Sequence, residues 1–148
     1  KYKVLTKEEL HSRYEIYLEQ YAKHINIEAL TSIDMVKRLY IPTVIQYTAE
    51  LARTIQTVES AKASASVQRG LLKRISDFLE SASKKLVKLE TETQKAQGIA
   101  EALHRAEAFR DKVFTAQAEL RKDIDELEQI LPANVWPVPT YAEMLFKI

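Results

Sequence analysis

Two Glu-x-x-His matches are the first places to look for chemistry, Glu8-Glu9-Leu10-His11 and Glu101-Ala102-Leu103-His104. In di-iron and di-manganese bundles two such motifs face inward, and glutamates from two further helices complete the ligand set. The phase is wrong here. Ala102, Ala106 and Phe109 mark the apolar face of their helix, so Glu101 and His104 point away from it. Glu8 falls in the first turn of its helix, where the dipole favours an acid in any case. No core-phase glutamate on the other helices completes the set, so both motifs read as solvated helix faces and no metal or catalytic residue is assigned. The third histidine, His24, follows Lys23 near an expected helix end and reads as dipole-compatible. The serines lie in linkers and on helix faces, without the strained turn that exposes a nucleophile.

Composition narrows the chemistry further. The 148 residues include no cysteine, which removes disulfides, thiolate catalysis and Cys-ligated zinc. Only Gly70 and Gly98 are glycines, too few for a phosphate-cradling loop. With 22 basic and 21 acidic residues the net charge is +1, which leaves no strong nucleic-acid footprint. Arg69, Lys73, Arg74, Lys84, Lys85 and Lys88 run along one segment, but Asp77, Glu80, Glu90 and Glu92 interleave with them, as on a salt-bridged solvated face. The uncharged stretches Leu39–Ala49 and Gln129–Ala142 are too short to span a bilayer, so no membrane partner is expected. No signal peptide is visible.

The elements that must position these residues are helices. Thr6 and Glu9 have capping-box spacing, and Leu10, Tyr14, Tyr17, Leu18 and Tyr21 recur on one face behind them, expected as core. A break is expected near Ile25–Ile27. A second helix follows from Glu28 to Ala61, with a stripe of Ile33, Val36, Tyr40, Val44, Tyr47, Leu51, Ile55 and Val58. Pro42 lies inside it and predicts a kink near Arg38–Ile41. Asp34 and Arg38 form an i,i+4 pair beside that kink and are a candidate anchor for another domain. Residues 61–70 read as a turn. In the third helix Leu72, Ile75, Leu79, Ala82, Leu86, Leu89, Thr93 and Ala96 step by three and four, the seam of a bundle, and Gly98 stands where a left-handed C′ glycine would end it. The fourth helix, Ala100 to Leu131, carries Ala106, Phe109, Val113, Ala116, Leu120, Ile124, Leu127 and Leu131. Its successive four-residue steps from Ala116 to Ile124 predict a stutter.

The expected fold is therefore all-α: an elongated antiparallel bundle of three long helices plus a shorter N-terminal helix, over residues 1–131. Residues 132–148 differ. Pro132, Pro137 and Pro139 impose an extended path around Trp136, and Thr140 and Glu143 repeat the capping-box spacing ahead of a short terminal helix. This Pro/Trp arm is costly to leave in water, and Trp136, Tyr141, Leu145 and Phe146 are its candidate docking anchors.

Several stretches in order along the chain resemble one family. Glu9–Ala52, Ala106–Glu128 and the terminal run Trp136–Phe146 (WPVPTYAEMLF) are similar to the C-terminal region of type III glutamine synthetases. The terminal run is the most specific, and IEA…DM…PTVIQY (Ile27 to Tyr47) is second. Family members often carry a proline and a methionine around Thr115 and Gln117, which this sequence lacks. The resemblance implies a parent enzyme that joins glutamate and ammonia with ATP and divalent Mg or Mn, in a cytoplasmic double-ring homo-oligomer. It implies that the catalytic residues and cofactor sites lie upstream in a separate catalytic domain, since no family catalytic motif matches any position here. This chain would then be a non-catalytic packing domain whose partners are that catalytic domain and neighbouring subunits. The lack of an initiator Met is expected of such a piece. The competing expectation is a free-standing helical adaptor module, with a metal-bundle enzyme as a third reading.

Overall fold

The structure is a computed structural model that describes residues 4–139 and 141–145, with Tyr141 and Ala142 described by their backbone alone. Every regular element among the described residues is helical. Residues 7–60 form one unbroken helical run: α1 (Lys7–Met35), a π turn (Val36–Tyr40) and α2 (Ile41–Ser60). At 1.5 Å per residue it is roughly 80 Å long. The capping box opens it. Thr6 Oγ1 accepts from the Glu9 N–H at 3.1 Å, and Glu9 Oε2 accepts from the Thr6 N–H at 2.7 Å.

The break expected near Ile25–Ile27 is absent, and the expected separate N-terminal helix is the first part of this run. Single β-branched residues cost a helix only tenths of a kcal/mol, and Ile25 is buried in the core, so packing outweighs propensity. The expected kink at Pro42 takes the form of the π turn. Proline lacks an N–H and its ring crowds the carbonyl one turn back. One extra residue in the turn, closed by the Ile41 N–H donating to the Val36 carbonyl, accommodates both.

The chain reverses over residues 61–65. The Lys62 N–H donates to the Glu59 carbonyl at 2.9 Å and the Ala63 N–H to the Val58 carbonyl at 3.1 Å, a Schellman closure. Its left-handed residue is Lys62, at φ 59°. Gly98, expected in that conformation, has φ −75° and caps its helix right-handed. Neither glycine has positive φ.

Helix α3 (Ser66–Gln97) begins before Gly70, so the turn is half the length expected. It lies antiparallel to the first run, as cross-helix pairs show: Glu59 with Arg69, Lys37 with Glu90, and Asn26 with Gln97. The last run is α4 (Ala102–Ala108), a π turn (Phe109–Val113) and α5 (Phe114–Ile130). It is antiparallel to α3 through Lys88–Glu119 and Lys85–Asp123, and parallel to α1 through Glu19–Arg105 and Ser32–Gln117. Ahead of the four-residue steps at Ala116–Ile124, which lie in a regular α5, the run carries the π turn at Phe109–Val113.

The core is the seam between these runs. All eight stripe residues from Ala106 to Leu131 are buried, as are Ile75, Ala82, Leu86, Leu89, Thr93 and Ala96 of α3. Thr93 is tolerated there because its hydroxyl donates to the Leu89 carbonyl of its own helix at 2.7 Å. The first stripe is different. Leu10, Tyr14, Tyr17 and Tyr21, expected as core, are exposed, and α1 enters the core through Ala22, Ile25 and Ala29.

Candidate interaction site

The residues singled out as metal or acid–base candidates are occupied locally. Glu101 is the N-cap of α4, its carboxylate accepting from the backbone N–H of His104 at 2.6 Å and of Leu103 at 3.1 Å. Those two donors hold its pKa below the usual carboxylate range. His104 Nδ1 lies 3.2 Å from the same carboxylate, and His11 Nε2 lies 3.3 Å from Glu15. Among the described residues no group of three or more His, Asp or Glu side chains is placed to hold a metal ion.

The basic run on α3 is paired along its length. Arg69, Lys73, Arg74, Lys84, Lys85 and Lys88 meet Glu59, Asp77, Glu126, Glu80, Asp123 and Glu119 respectively. The Arg69 pair ties α3 to α2, and those of Arg74, Lys85 and Lys88 tie it to α5. Lys85–Asp123, at 2.7 Å, is the most shielded of them. Four of these cations thus link helices, while Lys73 and Lys84 pair within α3.

The arm is positioned by its prolines. Leu131 leaves α5 in an extended conformation, and the N–H groups of Val135 and Trp136 both donate to the Pro132 carbonyl, at 2.9 and 3.2 Å. That bend turns the chain back along α2. Trp136, 8% exposed, stacks on Tyr40 with ring centroids 5.0 Å apart and planes 11° apart. Val135 and Val138 pack beside it on the core. Tyr40 belongs to the π turn set up by Pro42, so one proline shapes the seat and three others direct the ring into it. Burial, and then the nearby Glu128 carboxylate, push the Tyr40 phenol above its ordinary pKa, so it stays neutral through the physiological range.

Under the arm lies a cleft of about 560 Å³, lined by Ser32, Tyr40, Gln117, Arg121, Trp136 and Met144 among others. Its one serine is not activated. Ser32 Oγ donates to the Glu28 carbonyl at 2.8 Å and accepts from Gln117 Nε2 at 2.9 Å, so its proton is held by its own helix.

Of the other candidate anchors, Leu145 is 77% exposed at the end of α6 (Tyr141–Leu145). Phe146 and Thr140 lie outside the described residues, and so does the Tyr141 side chain. Asp34 and Arg38 form their pair at 3.4 Å, facing solvent. Periodicity puts Tyr40 on a core stripe but does not pair it with Trp136. Its place two residues before Pro42 was the available signal.

The described residues form an inter-helix scaffold with an exposed, partly apolar end. The family described as "Glutamine synthetase C-terminal domain" matches residues 1–59. A glutamine synthetase of Butyrivibrio fibrisolvens is 37% identical over 147 residues, covering 98% of this chain and 21% of the relative. The chain is related to glutamine synthetases through their C-terminal domain. A type-3 glutamine synthetase of Dictyostelium discoideum is 31% identical over 97% of this chain and 20% of its own length. The glutamine synthetase of Bacteroides fragilis is 28% identical over 97% and 21%. The chain thus spans about a fifth of the length of the glutamine synthetases it matches. No solved structure matches it. Among the described residues, no helix is long and apolar enough to cross a membrane.

Proposed function

We propose that this chain is the C-terminal structural domain of a type III glutamine synthetase, itself non-catalytic. The parent enzyme makes glutamine from glutamate and ammonia, using ATP and Mg or Mn bound elsewhere in the polypeptide. Its setting is the cytoplasm. The domain packs against the catalytic domain of its own chain and against neighbouring subunits of a double-ring homo-oligomer. The observation that carries this reading is the coverage: nearly the whole chain aligns with only a fifth of each relative. The paired cations and the locally occupied Glu101 and Ser32 support a scaffold role.

Within it, residues 1–131 are the bundle and 132–148 the docking tail. Trp136 anchors the tail to its own bundle, which leaves Leu145, with Tyr141 and Phe146, as the part offered to a partner. Asp34 and Arg38 supply a second, polar contact beside the π turn. Calorimetry of the 148-residue chain tests the non-catalytic role: neither ATP nor glutamate is expected to bind, and stoichiometric ATP binding at millimolar or tighter affinity would sink it. The reading frame decides against the adaptor alternative if a synthetase catalytic domain is encoded upstream of Lys1, and for it if the frame opens within a few residues of Lys1.

A further inference from the structure

Toward its N-terminus, α1 outruns the bundle. The last residue of α3, Gln97, donates from Nε2 to Asn26 at 2.7 Å, and Arg105, in the first turn of α4, reaches Glu19 at 4.0 Å. Every residue from Val4 through Tyr17 is exposed. Residues 7–17 therefore project as about 16 Å of helix. The projection starts at a fully formed capping box, so it is a defined helix end rather than a frayed one.

One line along it is apolar. Leu10, Tyr14, Tyr17 and Tyr21 follow at steps of four, three and four, and are 60, 48, 66 and 40% exposed. One turn beyond Tyr21 the same line enters the core at Ile25. The charged residues Glu8, Arg13, Glu15 and Glu19 lie off this line. An aromatic centre with a charged rim is the anatomy of a protein–protein contact rather than of a solvated helix. Trp136 of the arm is engaged on Tyr40.

We infer that the Leu10–Tyr14–Tyr17–Tyr21 face is the seat of the preceding, larger part of the same polypeptide. This rests on the reading of the chain as a synthetase C-terminal domain. About four fifths of each relative lies outside the aligned region, and the matched family is a C-terminal one, so that larger part joins ahead of residue 1. A covalently joined body is held at raised effective concentration, so modest apolar contact suffices to dock it. The matched residues 1–59 include the whole projection.

Photo-cross-linking in the full-length polypeptide tests this, with p-benzoylphenylalanine placed at position 17 (Tyr17→p-benzoylphenylalanine) and hydroxyl-radical footprinting of Tyr14 and Tyr17 in parallel. The expected result is a cross-link to residues upstream of Lys1 within one chain, and loss of Tyr14 and Tyr17 modification relative to the unfolded polypeptide. A cross-link to the same helix of a second copy, or modification at the unfolded rate, overturns the inference. If the preparation still makes glutamine, the parent reading survives that failure. A gene that encodes no synthetase body upstream overturns both.

Discussion

Trp136, in the C-terminal arm, keeps 8% of its surface in water, whereas Tyr17, in the N-terminal projection, keeps 66%. Both are large aromatics placed near a chain end, and both follow a capping or proline signal that defines their local path. What separates them is reach. Three prolines and the bend at Pro132 carry Trp136 back onto Tyr40, so the arm supplies its own partner. Helix α1 is continuous through Tyr17 and so cannot fold back on the bundle, and α3 and α4 end before they could lie beside it. Burial thus follows from whether another element of the chain lies alongside, not from how apolar the residue is.

The sharpest way to break this comparison is to remove the arm. Truncation before Pro132 is expected to cost at least about 3 kcal/mol, the scale of losing a buried Trp, and to lower the melting temperature of the chain by roughly 10 °C. An unchanged midpoint would mean that the arm holds nothing on its own bundle. Tyr40→Leu keeps the arm and most of the apolar contact but removes the stack. A loss of about 1 kcal/mol in urea denaturation is expected, and no loss would assign the seat to Val135 and Val138 instead.

Alkaline titration gives a gentler probe, because Trp136 is the only tryptophan. The Tyr40 pKa is raised in the fold, chiefly by burial. The folded state therefore favours the neutral phenol: its contribution is complete below the unfolded tyrosine pKa of about 10 and is lost as pH rises through the higher folded value. Trp136 emission should stay constant from neutral pH to about 10 and shift to the red above it, with Tyr40→Phe delaying the shift. A red shift already at neutral pH would detach the stack from this titration. The smallest effect belongs to the other end. Tyr14→Gln/Tyr17→Gln in the 148-residue chain should change stability by less than about 0.5 kcal/mol per site, as exposed substitutions do. A larger loss would show that the projection packs within its own chain.

The stripes of the third and fourth helices were legible because each is a long run at unbroken helical steps with a core on one side, and every residue of the fourth is buried. The Thr6–Glu9 box and the distortion at Pro42 were legible because both depend on atoms within one or two turns. The break at Ile25–Ile27 was not real, since its signal was worth less than the burial of Ile25. Gly98 does not take the left-handed cap its residue type favours: it ends α3 right-handed, while the left-handed residue closes the end of α2 at Lys62. The site divides the same way. The arm and Trp136 were visible as an apolar segment that needed cover, whereas its cover, Tyr40, lies 96 residues away in sequence.

By itself the sequence determined that this protein is helical, which faces of its two later helices are apolar, where its first helix begins and that the chain distorts next to Pro42. Those are short-range matters of hydrogen-bond donors, side-chain phase and proline geometry. Tertiary structure alone decided that residues 7–60 are one run, that Trp136 is covered within the chain and that Leu10, Tyr14 and Tyr17 are not. Periodicity names a face, but only the lengths and register of neighbouring helices determine whether anything lies against it.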